Sequence, residues 1–197
     1  NVNNITVELD ANGAASITAA QINNDSFDNC AIESMSIDIT SFTCDNLGAN
    51  TVTLTVTDSN GNKATKTATV TVVDKIAPTV GVNNITVELD ANGAASITAA
   101  QINNGSFDNC GVASMALDIT SFTCDNLGAN TVTLTVTDGS NNSSSATATV
   151  TVVDKIAPTV NVNNITVELD ANGAASITAA QINNGSFDNC GVASMAL

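Results

Sequence analysis

Two residue types in this chain could do chemistry, cysteine and aspartate. The five cysteines stand at Cys30, Cys44, Cys110, Cys124 and Cys190. The first four form two pairs, each 14 residues apart, and the chain has no histidine. Two thiols without histidine cannot complete the four-ligand set of a structural zinc site. Paired cysteines in small repeated units instead read as disulfides of an oxidising compartment. The spacing predicts one bridge between Cys30 and Cys44 and another between Cys110 and Cys124. Each would close a loop of about fifteen residues and contribute roughly 3 kcal/mol in the chain-entropy model.

The acids point to a different chemistry. There are 19 acidic and 4 basic residues, for a formal charge of −15. Hard cations such as calcium take oxygen ligands from Asp, Asn and backbone carbonyls. Several aspartates sit in turn sequences at the ends of apparent strands. If those turns gather at the two poles of a sandwich, Asp10 and Asp74 of one repeat face Asp108 and Asp138 of the next. By the same logic Asp90 and Asp154 face Asp188. These seven residues are the candidate calcium ligands. The same residues are also ordinary turn formers, because Asp bonds locally to backbone N–H groups. No twelve-residue calcium loop with a terminal Glu is present, so on sequence both readings stand.

Composition closes off most other chemistry. Without histidine there is no Ser/His/Asp or Cys/His nucleophile system. Tyr and Trp are absent as well, which removes the usual stacking platforms. The basic residues are four lysines, Lys63, Lys66, Lys75 and Lys155, too few for a phosphate-binding footprint. No catalytic residue and no organic cofactor site is expected, and neither an enzyme nor a nucleic-acid partner. Phe27, Phe42, Phe107, Phe122 and Phe187 are expected in the core or as loop anchors. No apolar stretch reaches the roughly 20 residues that a membrane-spanning helix needs, so no membrane insertion is expected in this segment. A signal peptide or anchor would lie outside these 197 residues.

The elements that must position the cysteines and acids come in repeats. Val2-Asn3-Asn4-Ile5-Thr6-Val7-Glu8-Leu9-Asp10 returns at 82–90 and at 162–170, a period of 80 residues. Boundaries fall near Pro78 and Pro158, the only prolines, because proline cannot donate to a sheet ladder. The expected domains are 1–78, 79–158 and a partial third repeat, 159–197. Within a repeat the apolar pattern alternates with period two. In Thr51 to Thr57 the residues Val52, Leu54 and Val56 take one face and the threonines the other, as a half-buried strand does. Further strands are predicted at 5–9, 15–22, 32–37, 42–44 and 67–72, although the Ala-rich stretch 14–22 also suits a helix. Asp10-Ala11-Asn12-Gly13 and Asp58-Ser59-Asn60-Gly61-Asn62 read as hairpin turns. Six or seven short strands at this spacing predict an all-β fold of tandem immunoglobulin-like β-sandwich repeats, with one disulfide inside each repeat.

Ser26-Phe27-Asp28-Asn29-Cys30, Ser41-Phe42-Thr43-Cys44, Gly48 to Asp58, and Val72-Val73-Asp74 before Pro78 resemble the HYR-like immunoglobulin-fold repeats of giant secreted proteins of Bacteroidetes. The resemblance covers all 197 residues. Asp138-Gly139-Ser140-Asn141-Asn142 departs from that family's Asp-x-x-Gly-Asn loop and weakens the loop as a shared calcium motif. The resemblance implies an extracellular protein of the bacterial cell surface, exported by the type IX route, including adhesins of the gliding type. It also implies a structural stalk or filament that extends and stiffens a distal binding tip. Its partners would be neighbouring repeats of the same chain and other copies in a filament. Two alternatives stand beside this expectation, a direct glycan- or protein-binding module and a spacer within a secreted hydrolase.

Overall fold

The computed structural model describes residues 1–197. The first repeat forms β1 (Ile5–Glu8), β2 (Ala14–Ser16), α1 (Ala19–Ile22), β3 (Ile32–Ile37), β4 (Ser41–Thr43), β5 (Gly48–Asp58) and β6 (Lys63–Val73). The second forms β7 (Ile85–Glu88), β8 (Ala94–Ser96), α2 (Ala99–Ile102), β9 (Val112–Leu117), β10 (Ser121–Thr123), β11 (Gly128–Asp138) and β12 (Ser143–Val153). In the third repeat α3 (Ala179–Ile182) is the only regular element. Contacts group the chain into two compact units. The first comprises 1–81, 104–116 and 135–146, and the second 82–103, 117–134 and 147–197.

In the first unit a four-stranded sheet of order β1-β6-β5-β3 faces a two-stranded sheet of β2 and β4. The long β5–β6 hairpin is its spine. Its turn is closed by Asp58, whose carboxylate accepts from the amides of Asn60 and Asn62. The period-two alternation read from the sequence is realised here, with Val52 and Leu54 buried from β5 and Ala68, Val70 and Val72 from β6. Strand β1 runs parallel to β6, with Ile5 opposite Val70 and Val7 opposite Val72. The chain then turns at Asp10–Gly13, where the Gly13 amide donates to the Asp10 carbonyl at 2.9 Å. This turn does not make the expected hairpin. It carries the chain out of the large sheet into β2, which pairs with β4, so Leu9, Ile17, Ile22 and Phe42 complete a core between the two sheets. The second repeat has the same topology, with sheets β7-β12-β11-β9 and β10-β8. Leu89, Ile97, Phe122, Val132 and Leu134 are buried in the second unit.

The stretch 14–22 divides between the two expectations for it. Ala14–Ser16 is strand, and Ala19–Ile22 is one helical turn. The Gln21 side chain accepts from the Thr18 amide at 2.8 Å, a local cap that stops the strand, and the turn buries Ile22 completely.

The cysteine pairing differs from the expected one. Cys44 is bonded to Cys110 and Cys124 to Cys190, while Cys30 is free and exposed. The reason lies in sheet assignment. The expectation placed 32–37 and 42–44 in one hairpin, but β3 pairs with β5 and β4 with β2, so nothing draws Cys30 toward Cys44. Each bridge instead joins a repeat to the next, at the same two positions of the 80-residue period. Gly13 (φ +71°) makes room for the first bridge, since a Cβ there would stand 2.7 Å from the Cys44 sulfur and 3.0 Å from the Asn109 carbonyl.

Phe42 and Phe122 are core residues, whereas Phe107 and Phe187 are exposed and make backbone bridges to Thr79 and Thr159. Phe27 is 92 % exposed.

Candidate metal centre

Three acids of the first unit converge. Asp74 follows β6, Asp138 closes β11, and Asp108 lies in the loop before β9. One carboxylate oxygen of each lies within 4.8 Å of the others. Asp74 is 5 % and Asp138 2 % exposed. Like charges this close cost at least about 3 kcal/mol per pair at an effective dielectric of about 20. No lysine forms an ion pair with them; the chain's two ion pairs are Lys75–Glu8 and Lys155–Glu88, both exposed.

Local hydrogen bonds use only some of the oxygens. Asp138 forms its own turn. Its Oδ1 accepts from the amides of Ser140 and Asn142, both at 2.8 Å, and its Oδ2 from Asn142 Nδ2 at 2.8 Å. Asn142 Nδ2 also donates to the Asp74 carbonyl at 3.2 Å. Asp74 Oδ1 accepts from the Ile76 amide at 3.0 Å and from Asn109 Nδ2 at 3.3 Å. Asp108 Oδ2 accepts from the Cys110 amide at 2.9 Å. Asp74 Oδ2 and Asp108 Oδ1 are left buried with no donor, as is Asn109 Oδ1. Buried acceptors without a partner are uncommon in folded proteins. Here they lie at the one place where three acids meet.

The loop at Asp138–Asn142 folds like its counterpart at Asp58–Asn62. Asp58 and Asp138 take the same bonds from the residue four positions on. Asn141 (φ 67°) occupies the left-handed position that Gly61 (φ 85°) fills in the first repeat, which Asn tolerates better than most residues. The missing glycine therefore leaves the Asp138 turn intact.

The other candidate acids are placed differently. Asp10 and Asp90 turn their carboxylates inward on their own turns, onto the amides of Asn12 and Ala14 and of Asn92 and Ala94. They reach the neighbouring loop only through their carbonyls, which accept from Asn109 and Asn189, both at 3.1 Å. In the second unit Asp154 Oδ1 accepts from Asn189 Nδ2 at 3.1 Å. Asp188 Oδ1 and Asn189 Oδ1 are again buried without donors, but Asp154 and Asp188 have no third acid grouped with them. Asn109, Asn142 and Asn189 are the participants that sequence reading missed. Asp108-Asn109-Cys110 repeats at 188–190, and an amide between an acid and a bridged cysteine was the available signal.

Turn-bound aspartates make stability sensitive to acid. Backbone amides of Ala14 and Asn12 hold Asp10 below the usual aspartate range, and those of Ala94 and Asn92 do the same for Asp90. The Thr53 and Thr133 amides lower Asp38 and Asp118, and the Asn62 side chain lowers Asp58. A folded-state pKa below the unfolded one gives stability that is present above the unfolded value and lost as pH falls through the folded value. The melting temperature is therefore expected to be level near neutrality and to fall as pH drops below the ordinary aspartate value of about 4. Asp38→Asn with Asp118→Asn should flatten that fall in a melting series, and an unchanged acid limb would refute the assignment.

No protein family and no curated protein matches the chain. Solved structures do. Mouse clustered PcdhgC3 EC1-3 matches at 15 % identity and TM-score 0.33, over 62 % of this chain and 51 % of that one. Fibronectin(III)-like modules of Clostridium thermocellum CbhA match at 12 % identity and TM-score 0.30, over 78 % and 91 %. Human protocadherin-24 EC1-2 matches at 13 % identity and TM-score 0.38, over 77 % and 95 %. The chain spans about half the length of the mouse protocadherin fragment. Likeness at these scores carries no functional argument. The chain's own strand order makes it an all-β protein of the sandwich type. No helix is long and apolar enough to cross a membrane.

Proposed function

We propose that this chain is a non-catalytic structural segment of a secreted bacterial cell-surface adhesin, a stalk or filament of tandem immunoglobulin-like repeats that carries a distal binding tip. The observation that carries this reading is the pairing of the cysteines. Successive repeats are tied by a covalent bond at the same two positions each time, which suits an element that transmits force better than one that binds or turns over a ligand. Calcium belongs to the same reading, with the Asp74, Asp108 and Asp138 cluster as its place. The resemblance to HYR-like repeats supports a bacterial surface and a gliding-type adhesin. Export by the type IX route, and bundling with other copies, remain part of the proposal.

Trypsin tests it on the chain as it stands. Cleavage is possible only after Lys63, Lys66, Lys75 and Lys155, and Lys75 and Lys155 stand just ahead of the prolines between repeats. Loose connections are cut quickly. In a load-bearing segment these two sites should resist cleavage in the oxidised protein and yield after unfolding. Rapid cleavage after Lys75 in the oxidised, folded chain would overturn the reading.

A further inference from the structure

We propose that the first unit binds one calcium ion through Asp74, Asp108, Asn109 and Asp138, and that the Cys44–Cys110 bridge positions two of these four ligands. The inference rests on the calcium named in the stalk reading and adds the ligand set and its control.

Two independent features point to the ion. The first is the grouping of three carboxylates, two of them buried, with no basic partner. The second is the set of orphaned oxygens. Asp74 Oδ2, Asp108 Oδ1 and Asn109 Oδ1 are buried, and no donor reaches them. The Asn109 amide is oriented by two bonds from its nitrogen, to the Asp10 carbonyl and to Asp74 Oδ1, so the oxygen is the end left open. The same two loop atoms are orphaned again at Asp188 and Asn189, beside Asp154 but without a third acid. All these donors are hard oxygens. Calcium binds such oxygens at about 2.3–2.6 Å, so atoms within 4.8 Å of one another can share one ion. Magnesium holds its ligands closer and keeps much of its water. Zinc lacks nitrogen or thiolate ligands here, because both nearby sulfurs are in the bridge.

The bridge enters through the loop Asp108-Asn109-Cys110. Cys110 is bonded to Cys44 and donates its amide to Asp108. The Cys44 sulfur also lies 3.5 Å from the Asn109 carbonyl. The bond thus pins the two ligands carried by this loop beside Asp74 of the first repeat. In the first repeat Asp28-Asn29-Cys30 has the same loop sequence and the same Asp-to-amide bond, but Cys30 is unbridged and Asp28 belongs to no converging group of three acids. Coupling between an ion and a bond that fixes its ligands is reciprocal. Calcium should protect the bridge as much as the bridge favours calcium.

Calorimetric titration of the oxidised full chain with calcium chloride provides the test. The expected result is saturable binding, weakened at least tenfold by Asp74→Asn with Asp108→Asn, and changed less than twofold by Asp38→Asn, whose carboxylate accepts from the Thr53 amide and touches no proposed ligand. On the unmodified chain, calcium should raise several-fold the dithiothreitol needed to reduce Cys44–Cys110, read by alkylation and mass mapping. Each reduction takes two electrons and two protons to give two thiols. No binding at millimolar calcium, or binding indifferent to the Asp74 and Asp108 changes, overturns the site while leaving the trypsin test of the stalk untouched. Binding without protection of the bridge overturns the coupling.

Discussion

Replacing Cys44 and Cys110 together by alanine is expected to lower the stability of the first unit by about 4 kcal/mol. The bridge joins residues 66 apart, and the chain-entropy model gives roughly that value for a loop of this length. Two nearby structures add to the cost. Cys110 belongs to the loop that carries Asp108 and Asn109, and the Gly13 turn packs directly on the Cys44 sulfur. Denaturant unfolding without reductant measures the effect. The informative contrast is Cys30→Ala, which should leave the midpoint unchanged because that thiol is free and exposed. If Cys30→Ala proves as damaging as Cys44→Ala, the pairing is the one expected from spacing and not the one in the fold. Peptide mapping of the unreduced chain would show the same distinction directly.

Phe42→Ala should cost about 3–5 kcal/mol, the range for removing a buried phenylalanine. Phe42 is the middle residue of the three-residue strand β4 and is 1 % exposed. It fills the space between the small sheet and Val52, Leu54 and Val70 of the large one. A strand of three residues has few ladder bonds to hold its place, so the cavity would open in the core between the two sheets. Phe122 has the same position in the second unit and the same burial. Phe27→Ala should change stability by no more than about 0.5 kcal/mol, as surface substitutions generally do. A urea series over Phe42→Ala, Phe122→Ala and Phe27→Ala checks all three. Similar midpoints for Phe42→Ala and Phe27→Ala would show that the core is not where the fold puts it.

These contrasts mark how far the sequence could be read. Alternation showed which face of β5 and β6 is buried, because period two is a property of the single strand. It could not show partners. Nothing in Ile32 to Ile37 says that β3 pairs with β5 and not with the nearer β4, and the cysteine assignment failed with that choice. A separation of 14 looked like a local staple, but the bonded separation of 66 is the same spacing taken across one period. The Thr18 and Gln21 cap at the start of α1 goes unread in the sequence, where the β-branched Ile17 and Thr18 favour strand. For the acids, turn chemistry placed Asp74, Asp108 and Asp138 at strand ends, and pole geometry brought them together. Asp10 was grouped with them because its turn is close, yet its carboxylate bends back to its own amides while its carbonyl makes the outward contact. Only side-chain directions separate those two roles, and spacing does not encode them.

The bridges also set how far this chain can be drawn out. They span residues 44–110 and 124–190, without overlap, so tension applied at the ends passes through the sulfurs and bypasses what lies between. Extended polypeptide covers at most about 3.3–3.6 Å per residue, and with both bonds intact the chain reaches roughly a third of the length it would have when reduced. Even with every sheet torn open, the slack released is capped by covalent chemistry. The enclosed segments, which hold all of β5 and β6 and the Asp74 connection, carry no load, and the β5–β6 hairpin can re-form while the pull continues.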